Sequence, residues 1–429
     1  MKRILLLLLD RHRRGDANEQ GRNLLSAASL SSFAIPLLLA PIWSRVYPLE
    51  YFSMAALVQI LPGLLNGWST LAYHTAIHTP REEQDAFTLV CLSMGLLCLS
   101  TFLLAGVCAL GGEWLGLRLL NQSGSGNWLW FTPVLLFATT TTMILDYWMA
   151  RRQCFKELSW AMLLQAVLSP IIPALGLLSP KSFNFIVLGT VGSALIGCGL
   201  RLYWSGFVDR LRLSAPSIRQ MREAVSIYRN FPRDVLPSHI MTSFSTQLPQ
   251  IMFARQFGSD MVGHFARVGP LLMLPLTVFC KPFQVVFVQE AGRRYREEGD
   301  CRQVFKSTLI KLLVVMTPMY GTIALVAPWL YPWFYGPTWK EAGLLAQPMA
   351  VFYWAAAVCS PLADVMTFGV NTKWDVAWQA LRLPVVALSL WLGSRWGGVL
   401  GSLWALGISN VILYGIYVML SYRMAVRRP

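Results

Sequence analysis

The sequence predicts an all-α, polytopic membrane protein with about twelve transmembrane helices. Apolar stretches recur from Asn23 to Met424, and each has the roughly 18 to 25 residues that a helix needs to cross a bilayer. Hydrophobic residues make up 55% of the 429 residues and charged residues only 13%, against about 25% charged residues in an ordinary soluble domain. This composition excludes a soluble globular domain.

The expected spans are helices because hydrocarbon offers no hydrogen-bond partner to an open strand or an irregular loop. The centres of the apolar stretches lie near Ile35, Gln59, Leu99, Thr140, Val167, Gly192, Ser245, Leu274, Val315, Ala355, Val386 and Val411.

The basic residues show which loops face the cytoplasm. The net charge is +15 with 36 Lys and Arg, and about 25 of these lie at the two termini or in alternate loops, as the positive-inside rule requires. We therefore expect a multi-pass protein of the bacterial inner membrane with both termini in the cytoplasm. A nucleic-acid partner is not expected, because the basic residues follow membrane topology instead of forming one groove.

The chain divides into two halves at one long polar loop. Residues 207–236 place Ile218, Met221 and Val225 at helical spacing beside several arginines, which favours a basic amphipathic helix on the cytoplasmic surface. A solvated linker with a chance periodicity is the alternative. We expect an N-terminal lobe of residues 1–206 and a C-terminal lobe of residues 237–429, each with about six helices. Residues 45–50 and 255–260 share a short pattern in equivalent positions of the two halves.

Several short motifs resemble one family of membrane proteins. They are YPLEYF at 47–52, YRNFP at 228–232, QLP at 247–249, FG at 257–258, VG at 262–263, LP at 274–275, YGPTWKEAG at 335–343 and SP at 360–361. In order and spacing they are similar to those of the bacterial oligosaccharide-lipid flippases. These proteins carry undecaprenyl-pyrophosphate-linked substrates and belong to the multidrug, oligosaccharidyl-lipid and polysaccharide exporter superfamily.

The resemblance implies two six-helix lobes around a central cavity that opens alternately to each side of the membrane. It also implies a substrate of undecaprenyl pyrophosphate carrying a sugar repeat unit, as in O-antigen or exopolysaccharide synthesis, with a glycan polymerase as a candidate partner. The expected protein is a transporter that carries out no covalent chemistry and needs no cofactor.

Charged side chains inside the spans are the candidate substrate-binding residues, because an ionisable group at mid-bilayer costs roughly 3 kcal/mol unless it faces a wet or protein-lined interior. Arg267 and Lys281 fall in the eighth expected span, and Arg382 falls in the eleventh. A cationic cavity suits a pyrophosphate group, since Arg offers a planar fork and Lys a point charge. Snorkelling of these long side chains to an interface is the alternative.

Two intramembrane carboxylates are candidates for ion coupling. Asp146 and Asp364 lie near the inner ends of the fourth expected span of each half, and either one can bind H⁺ or Na⁺ there. A structural ion pair is the alternative, for instance between Asp146 and Arg151 or Arg152. No metal site is expected, because His74 and His78 have ligand spacing but no third ligand nearby.

Two other function classes remain open. A drug or ion antiporter of the same superfamily would favour acidic cavity residues, whereas the intramembrane charges here are mainly basic. A membrane glycan polymerase would need a large outer loop, and the outer loops here are short. The sequence has no GxxxxGK[ST] motif, so ATP hydrolysis by this chain is not expected.

The topology is testable with reporter fusions. Fusions after Pro48, Gly124 and Gly336 should report the periplasm, and fusions after Arg152, Ser217 and the C-terminus should report the cytoplasm, because the basic loops stay inside. A paired phosphatase and fluorescent reporter at each site measures this directly. A C-terminus in the periplasm would remove an odd number of spans and contradict the two-lobe arrangement.

Overall fold

The structure is all α-helical, as the sequence predicts. The computed structural model describes residues 2–117, 126–178, 184–367 and 373–426. Within these ranges the chain forms no strand, and its single β-type contact is an isolated bridge between Asp300 and Val426. The fold class is therefore confirmed.

The helices of the first half run in chain order with short connections. They are α1 (Lys2–Val46), α2 (Leu49–Leu65), α3 (Glu83–Leu115), α4 (Gly126–Leu129), α5 (Phe131–Arg151), α6 (Phe155–Leu168), α7 (Ile171–Leu175), α8 (Phe185–Trp204), α9 (Phe207–Leu213) and α10 (Ile218–Ile227).

The second half continues with six further helices. They are α11 (Leu236–Phe257), α12 (Ser259–Pro275), α13 (Lys281–Glu297), α14 (Arg302–Tyr335), α15 (Lys340–Cys359) and α16 (Lys373–Met424). Residues 397 and 398 interrupt α16, because Gly397 and Gly398 have non-helical backbone angles.

Every expected span centre lies on one of these helices. In the described part of the chain, 8 helices are long and apolar enough to cross a membrane. The last of these, Val376–Met424, contains two of the expected spans. The helix α2 is apolar but shorter, and the remaining expected spans fall on α5 and α11. Helix α5 carries a run of threonines at 139–142, and α11 carries several Ser, Thr and Gln residues; these polar side chains lower the mean hydropathy of both helices.

The chain forms two compact units. Unit 1 consists mainly of Met1–Leu39, Leu61–Gly116 and Ser123–Leu236, and unit 2 mainly of Ala40–Ile60 and Pro237–Pro429. The helices α1 and α2 each contribute residues to both units. The assignment of residues 1–206 and 237–429 to two lobes stays a prediction.

The loop between the halves contains a helix where the periodicity predicts one. Ser217 begins α10 with a capping box, since its side chain accepts from the Gln220 backbone and the Gln220 side chain accepts from the Ser217 backbone. The side chains of Ile218 and Ile227 are exposed. Contact of this helix with the membrane surface stays a prediction.

Two prolines interrupt the backbone hydrogen bonding of α12 in unit 2. Pro270 and Pro275 lie in this helix, and one π-helical turn, Leu276–Cys280, follows it. Because proline has no N–H to donate, a neighbouring helix must help to satisfy the backbone near such a bend. Tyr320 and Tyr331 of α14 do so, and each hydroxyl donates to an α12 carbonyl, of Leu272 and Val268 respectively, at 2.9 Å.

The two arms of α16 pack closely through glycine. A Cβ atom added at Gly401 would lie 2.5 Å from the carbonyl oxygen of Gly393. By contrast, a Cβ atom at Gly397 would meet no heavy atom within 4 Å. The close contact therefore depends on residues 393 and 401.

We expect Gly401→Ala to destabilise the protein by about 1 to 3 kcal/mol, because the added methyl group forces two backbones apart. Gly397→Ala is the matched control in the same hairpin and should change stability by less than about 0.5 kcal/mol. Thermal unfolding of the purified protein in detergent measures both effects. Equal melting temperatures for the two variants would contradict the packing described here.

Candidate functional site

Arg267 lies inside a cage of aromatic rings in unit 2. Its guanidinium carbon is 4.3 Å from the ring centre of Phe52, 5.3 Å from that of Trp339 and 5.4 Å from that of Tyr335. Phe52 comes from α2, Tyr335 ends α14, and Trp339 ends the short 3-10 helix Pro337–Trp339. The ring faces attract the cation electrostatically.

The cage is held in place by its own packing. Trp339 is 1% exposed, its indole N–H donates to the Ser44 carbonyl at 3.1 Å, and its ring meets Phe52 edge-on at 5.3 Å. Gly336, with φ 113°, turns the chain between Tyr335 and Trp339, in a backbone region that favours glycine. The rings therefore hold Arg267 in a defined position.

The positive charge of Arg267 is not neutralised by a described carboxylate. Among the ion pairs of the described residues, none includes Arg267; the nearest along α12 joins His264 Nε2 to Glu341 Oε2 at 3.5 Å. Two other polar atoms of this region, Tyr335 Oη and His264 Nδ1, are buried and have no hydrogen-bond partner among the described atoms. A buried polar atom without a partner costs about 1 to 3 kcal/mol. The cage thus has an uncompensated cation and spare hydrogen-bonding capacity, which suit an anionic ligand.

Arg382 lies elsewhere in unit 2. Its guanidinium carbon is 6.0 Å from the Tyr414 ring centre, and its Nε atom is buried without a described hydrogen-bond partner. No described contact joins Arg382 to the cage around Arg267. The structure therefore shows two separate cationic positions in unit 2.

Lys281 is the first residue of α13, and its side chain lies outside the described residues. From the sequence, Lys281 is expected on the same span as Arg267. The apolar span that contains Arg267 ends at Cys280, and Lys281 follows it directly, so the role of Lys281 stays a prediction. A π-helical turn, Leu276–Cys280, lies between the two residues.

Asp146 of α5 forms an ion pair in unit 1, but not with the partners expected. Its Oδ1 atom accepts from Arg201 Nε at 2.5 Å, and Arg201 also donates to Gln165 Oε1 at 2.9 Å and to the Gly197 carbonyl at 3.2 Å. Arg201 is not among the residues predicted from the sequence, although an arginine within the apolar helix α8 is a signal that identifies it as a candidate ion-pair partner.

The expected pairing of Asp146 with Arg151 or Arg152 is wrong because of helix geometry. Neither arginine has the three- or four-residue separation that places two side chains on one helix face. Arg151 donates instead to the carbonyls of Ile77 and Pro80. Arg152 lies 3.6 Å from Glu83 Oε1.

Asp364 is in the 3-10 segment Ser360–Thr367 after α15, and its side chain lies outside the described residues. The structure therefore gives no contact for this candidate. Among the described residues, no group of three or more His, Cys, Asp and Glu side chains is arranged to hold a metal ion.

Solved structures show which fold the chain has. The lipid II flippase MurJ in its inward closed conformation matches with a TM-score of 0.68, 14% identity and coverage of 93% of this chain and 87% of MurJ. A mutant of the Vibrio cholerae MATE transporter VcmN matches with a TM-score of 0.62, 15% identity and coverage of 95% of both chains. A MOP superfamily transporter from Pyrococcus furiosus matches with a TM-score of 0.60, 15% identity and coverage of 95% of both chains.

These matches confirm the expected exporter fold. No curated protein sequence matches this chain significantly. A family model described as "Polysaccharide biosynthesis protein" matches residues 50–343, which is more than half of the chain and includes both Phe52 and Arg267. The chain therefore belongs to this polysaccharide biosynthesis protein family.

Proposed function

We propose that this protein flips an undecaprenyl-pyrophosphate-linked oligosaccharide across the bacterial inner membrane by alternating access. The family match and the exporter fold support a role in moving a substrate for polysaccharide synthesis. The observation that supports the substrate class is that Arg267, within its aromatic cage, has no counter-ion among the described residues. Precursors of O-antigen or exopolysaccharide are the proposed cargo.

A pyrophosphate group fits the chemistry of the cage. The rings contact the guanidinium through their faces, and a guanidinium recognises phosphate oxygens through the N–H groups along its edge. The Tyr335 hydroxyl, which has no hydrogen-bond partner among the described atoms, can donate a further hydrogen bond. Arg382 and Lys281 are proposed to add positive charge along the substrate path.

The charge also argues against an antiporter of lipophilic cations. Such a cation would be repelled by Arg267, and the described residues place no carboxylate against this arginine to reverse the local charge. Charge complementarity therefore favours an anionic substrate.

The proposed arrangement has two lobes, residues 1–206 and 237–429, joined by the cytoplasmic segment 207–236 with its surface helix α10. Both termini are proposed to be cytoplasmic. The prenyl chain stays in lipid while the pyrophosphate passes through the protein, because the chain is as apolar as the bilayer interior. A glycan polymerase on the outer face is the proposed consumer of the product.

An ion gradient is proposed to drive the change between inward and outward states. Asp364 is the stronger candidate for H⁺ or Na⁺ coupling, because the Asp146 carboxylate is already occupied by Arg201. A carboxylate that changes charge on ion binding makes the two states differ in energy.

Arg267→Ala should nearly abolish glycan export, because it removes the cation that binds the pyrophosphate, and Arg267→Lys should reduce export partly. Complementation of an export-deficient strain measures this, with the amount of protein in the membrane checked in parallel. Arg395→Ala is the matched control, since Arg395 also stacks on an aromatic ring, at 4.2 Å from Trp391, but is exposed. Normal export by the Arg267→Ala variant, or equal loss in both alanine variants, would refute the proposed role.

Asp364→Asn should slow gradient-driven flipping in vesicles, because the neutral amide of Asn binds neither a proton nor Na⁺ as a carboxylate does. Slow equilibration of the lipid without a gradient should persist. Fluorescent lipid-linked oligosaccharide, quenched from one side of the vesicle, measures both rates. If the variant responds to H⁺ and Na⁺ gradients as the wild type does, Asp364 has a structural role.

A further inference from the structure

A buried histidine lies beside the aromatic cage of Arg267. His264 of α12 is 4% exposed, and its ring meets the Trp339 ring edge-on, with 5.6 Å between the two ring centres. The guanidinium carbon of Arg267 lies over the same Trp339 ring, 5.3 Å from its centre. Residues with this spacing along a helix share one face. The imidazole and the guanidinium are therefore neighbours that contact the same aromatic ring.

The position of His264 is fixed by the packing of α12 against α2. A Cβ atom added at Gly263 would lie 2.3 Å from the Ser53 hydroxyl oxygen and 3.2 Å from the Leu49 side chain. The two helices thus approach each other closely at the residue before His264. Such close packing leaves the imidazole little room to move away from Trp339.

The two ring nitrogens of His264 have different surroundings. Nε2 lies 3.5 Å from Oε2 of Glu341 at the start of α15. An ionised carboxylate only accepts hydrogen bonds, so this contact favours a proton on Nε2. Nδ1 is buried and has no hydrogen-bond partner among the described atoms. In the neutral imidazole, Nδ1 is then the acceptor, and it is the atom that takes up a second proton.

Charged groups on α12 and α15 act on a proton at Nδ1. On α12, Asp260 is exposed, and Arg267 has no counter-ion among the described residues. On α15, Lys340 and Glu341 are exposed. The two carboxylates favour a positive charge on the imidazole, whereas Arg267 and Lys340 disfavour it.

The other helices around this part of unit 2 add further titratable groups. On α2, Glu50 is exposed and Tyr51 is partly exposed. On α11, Arg255 is exposed near the end of the helix. On α14, the Tyr331 hydroxyl donates to an α12 carbonyl, and the Tyr335 hydroxyl belongs to the cage. With ordinary pKa values these tyrosines stay neutral where a histidine titrates, so they add no charge that changes with the protonation of the imidazole.

The contact with a shared ring links the charge of His264 to that of Arg267. Without a bound anion, a proton on Nδ1 adds a second positive charge near Arg267 in a site shielded from water, which is unfavourable. An anion held by Arg267 offsets this repulsion. At about 10 Å and an effective dielectric constant of about 20, one negative charge changes the proton affinity of an imidazole by on the order of tenfold. A pyrophosphate diester carries more than one such charge.

We propose that His264 takes up a proton when an anionic headgroup binds at Arg267, so that substrate binding and proton binding are linked in unit 2. This linkage rests on the function proposed above and adds a proton to the ligands of the same site. Release of the headgroup would return the proton.

The linkage predicts the sign of a pH dependence. Histidine is the side chain whose ordinary pKa places its charge change between about pH 5 and 8. Affinity for the headgroup should be highest at low pH, where His264 is already protonated in the free protein. It should fall as the pH rises from the pKa of His264 in the free protein to the higher pKa that a bound anion gives it. Proton uptake on binding should be largest between these two pKa values.

Isothermal titration calorimetry on the full chain in detergent measures this linkage. UDP-N-acetylglucosamine is the probe, because it is a soluble pyrophosphate diester whose charge stays constant where histidine titrates. Titrations in buffers with different ionisation enthalpies give the number of protons taken up for each ligand bound. We expect uptake of up to one proton near neutral pH, and an affinity that falls by about tenfold or more between about pH 5.5 and 8.

In His264→Gln both effects should disappear, because an amide keeps the polarity of the side chain but cannot take up a proton. His239→Gln is the matched control. His239 lies in the first turn of α11, roughly 27 Å along the helix axis from Phe257 at its other end. This control should keep the proton uptake and the pH dependence of the wild type.

Glu341→Gln provides a second variant in case His264→Gln fails to fold. Glu341 is exposed, so its substitution should leave the fold intact. Loss of the carboxylate beside Nε2 should move the fall in affinity to a more acidic pH, because the imidazolium loses a favourable neighbour.

Three outcomes would overturn the linkage and leave the proposed substrate class standing. They are binding without proton uptake by the wild type, uptake that persists unchanged in a folded His264→Gln, and an unchanged pH dependence in Glu341→Gln. Absence of any binding by the wild type would overturn both the linkage and the proposed pyrophosphate site. Proton-linked binding without flipping of a lipid-linked oligosaccharide in vesicles would instead count against the proposed function alone.

Discussion

The constraint on which the whole structure depends is that a backbone inside a bilayer must satisfy its own hydrogen bonds. Continuous helices meet it along most of the chain. Where the helix fails, side chains and turns replace the lost bonds. Tyr320 and Tyr331 donate to carbonyls near the bend of α12. The Ser100 hydroxyl donates to the Ser69 carbonyl in the turn after α2. Both interruptions of the helices are therefore stabilised by side-chain hydrogen bonds.

Three arginines inside apolar helices show three ways to hold a charge away from water. Arg201 is neutralised by Asp146 and satisfied further by Gln165, which is the pattern of a structural ion pair. Arg267 is held by ring faces without a described counter-ion. Arg382 faces one ring, and its Nε atom has no hydrogen-bond partner among the described atoms. An anionic ligand binds most favourably to an arginine that has no counter-ion in the protein. Among the described residues, Arg201 has a counter-ion in Asp146, whereas Arg267 and Arg382 have none.

The sequence by itself determined the helical fold and the approximate number of spans, because span length and apolar composition are set by bilayer thickness. The motifs at Tyr47 and Trp339 also pointed to the correct family. The tertiary structure decided which side chains meet. Asp146 pairs with Arg201, which is 55 residues away along the chain, and not with the nearby Arg151. Phe52 of α2 reaches Arg267 of α12, although the two residues lie in different halves of the sequence. Spacing along one helix cannot reveal such contacts, since packing between helices brings together residues that no local pattern relates.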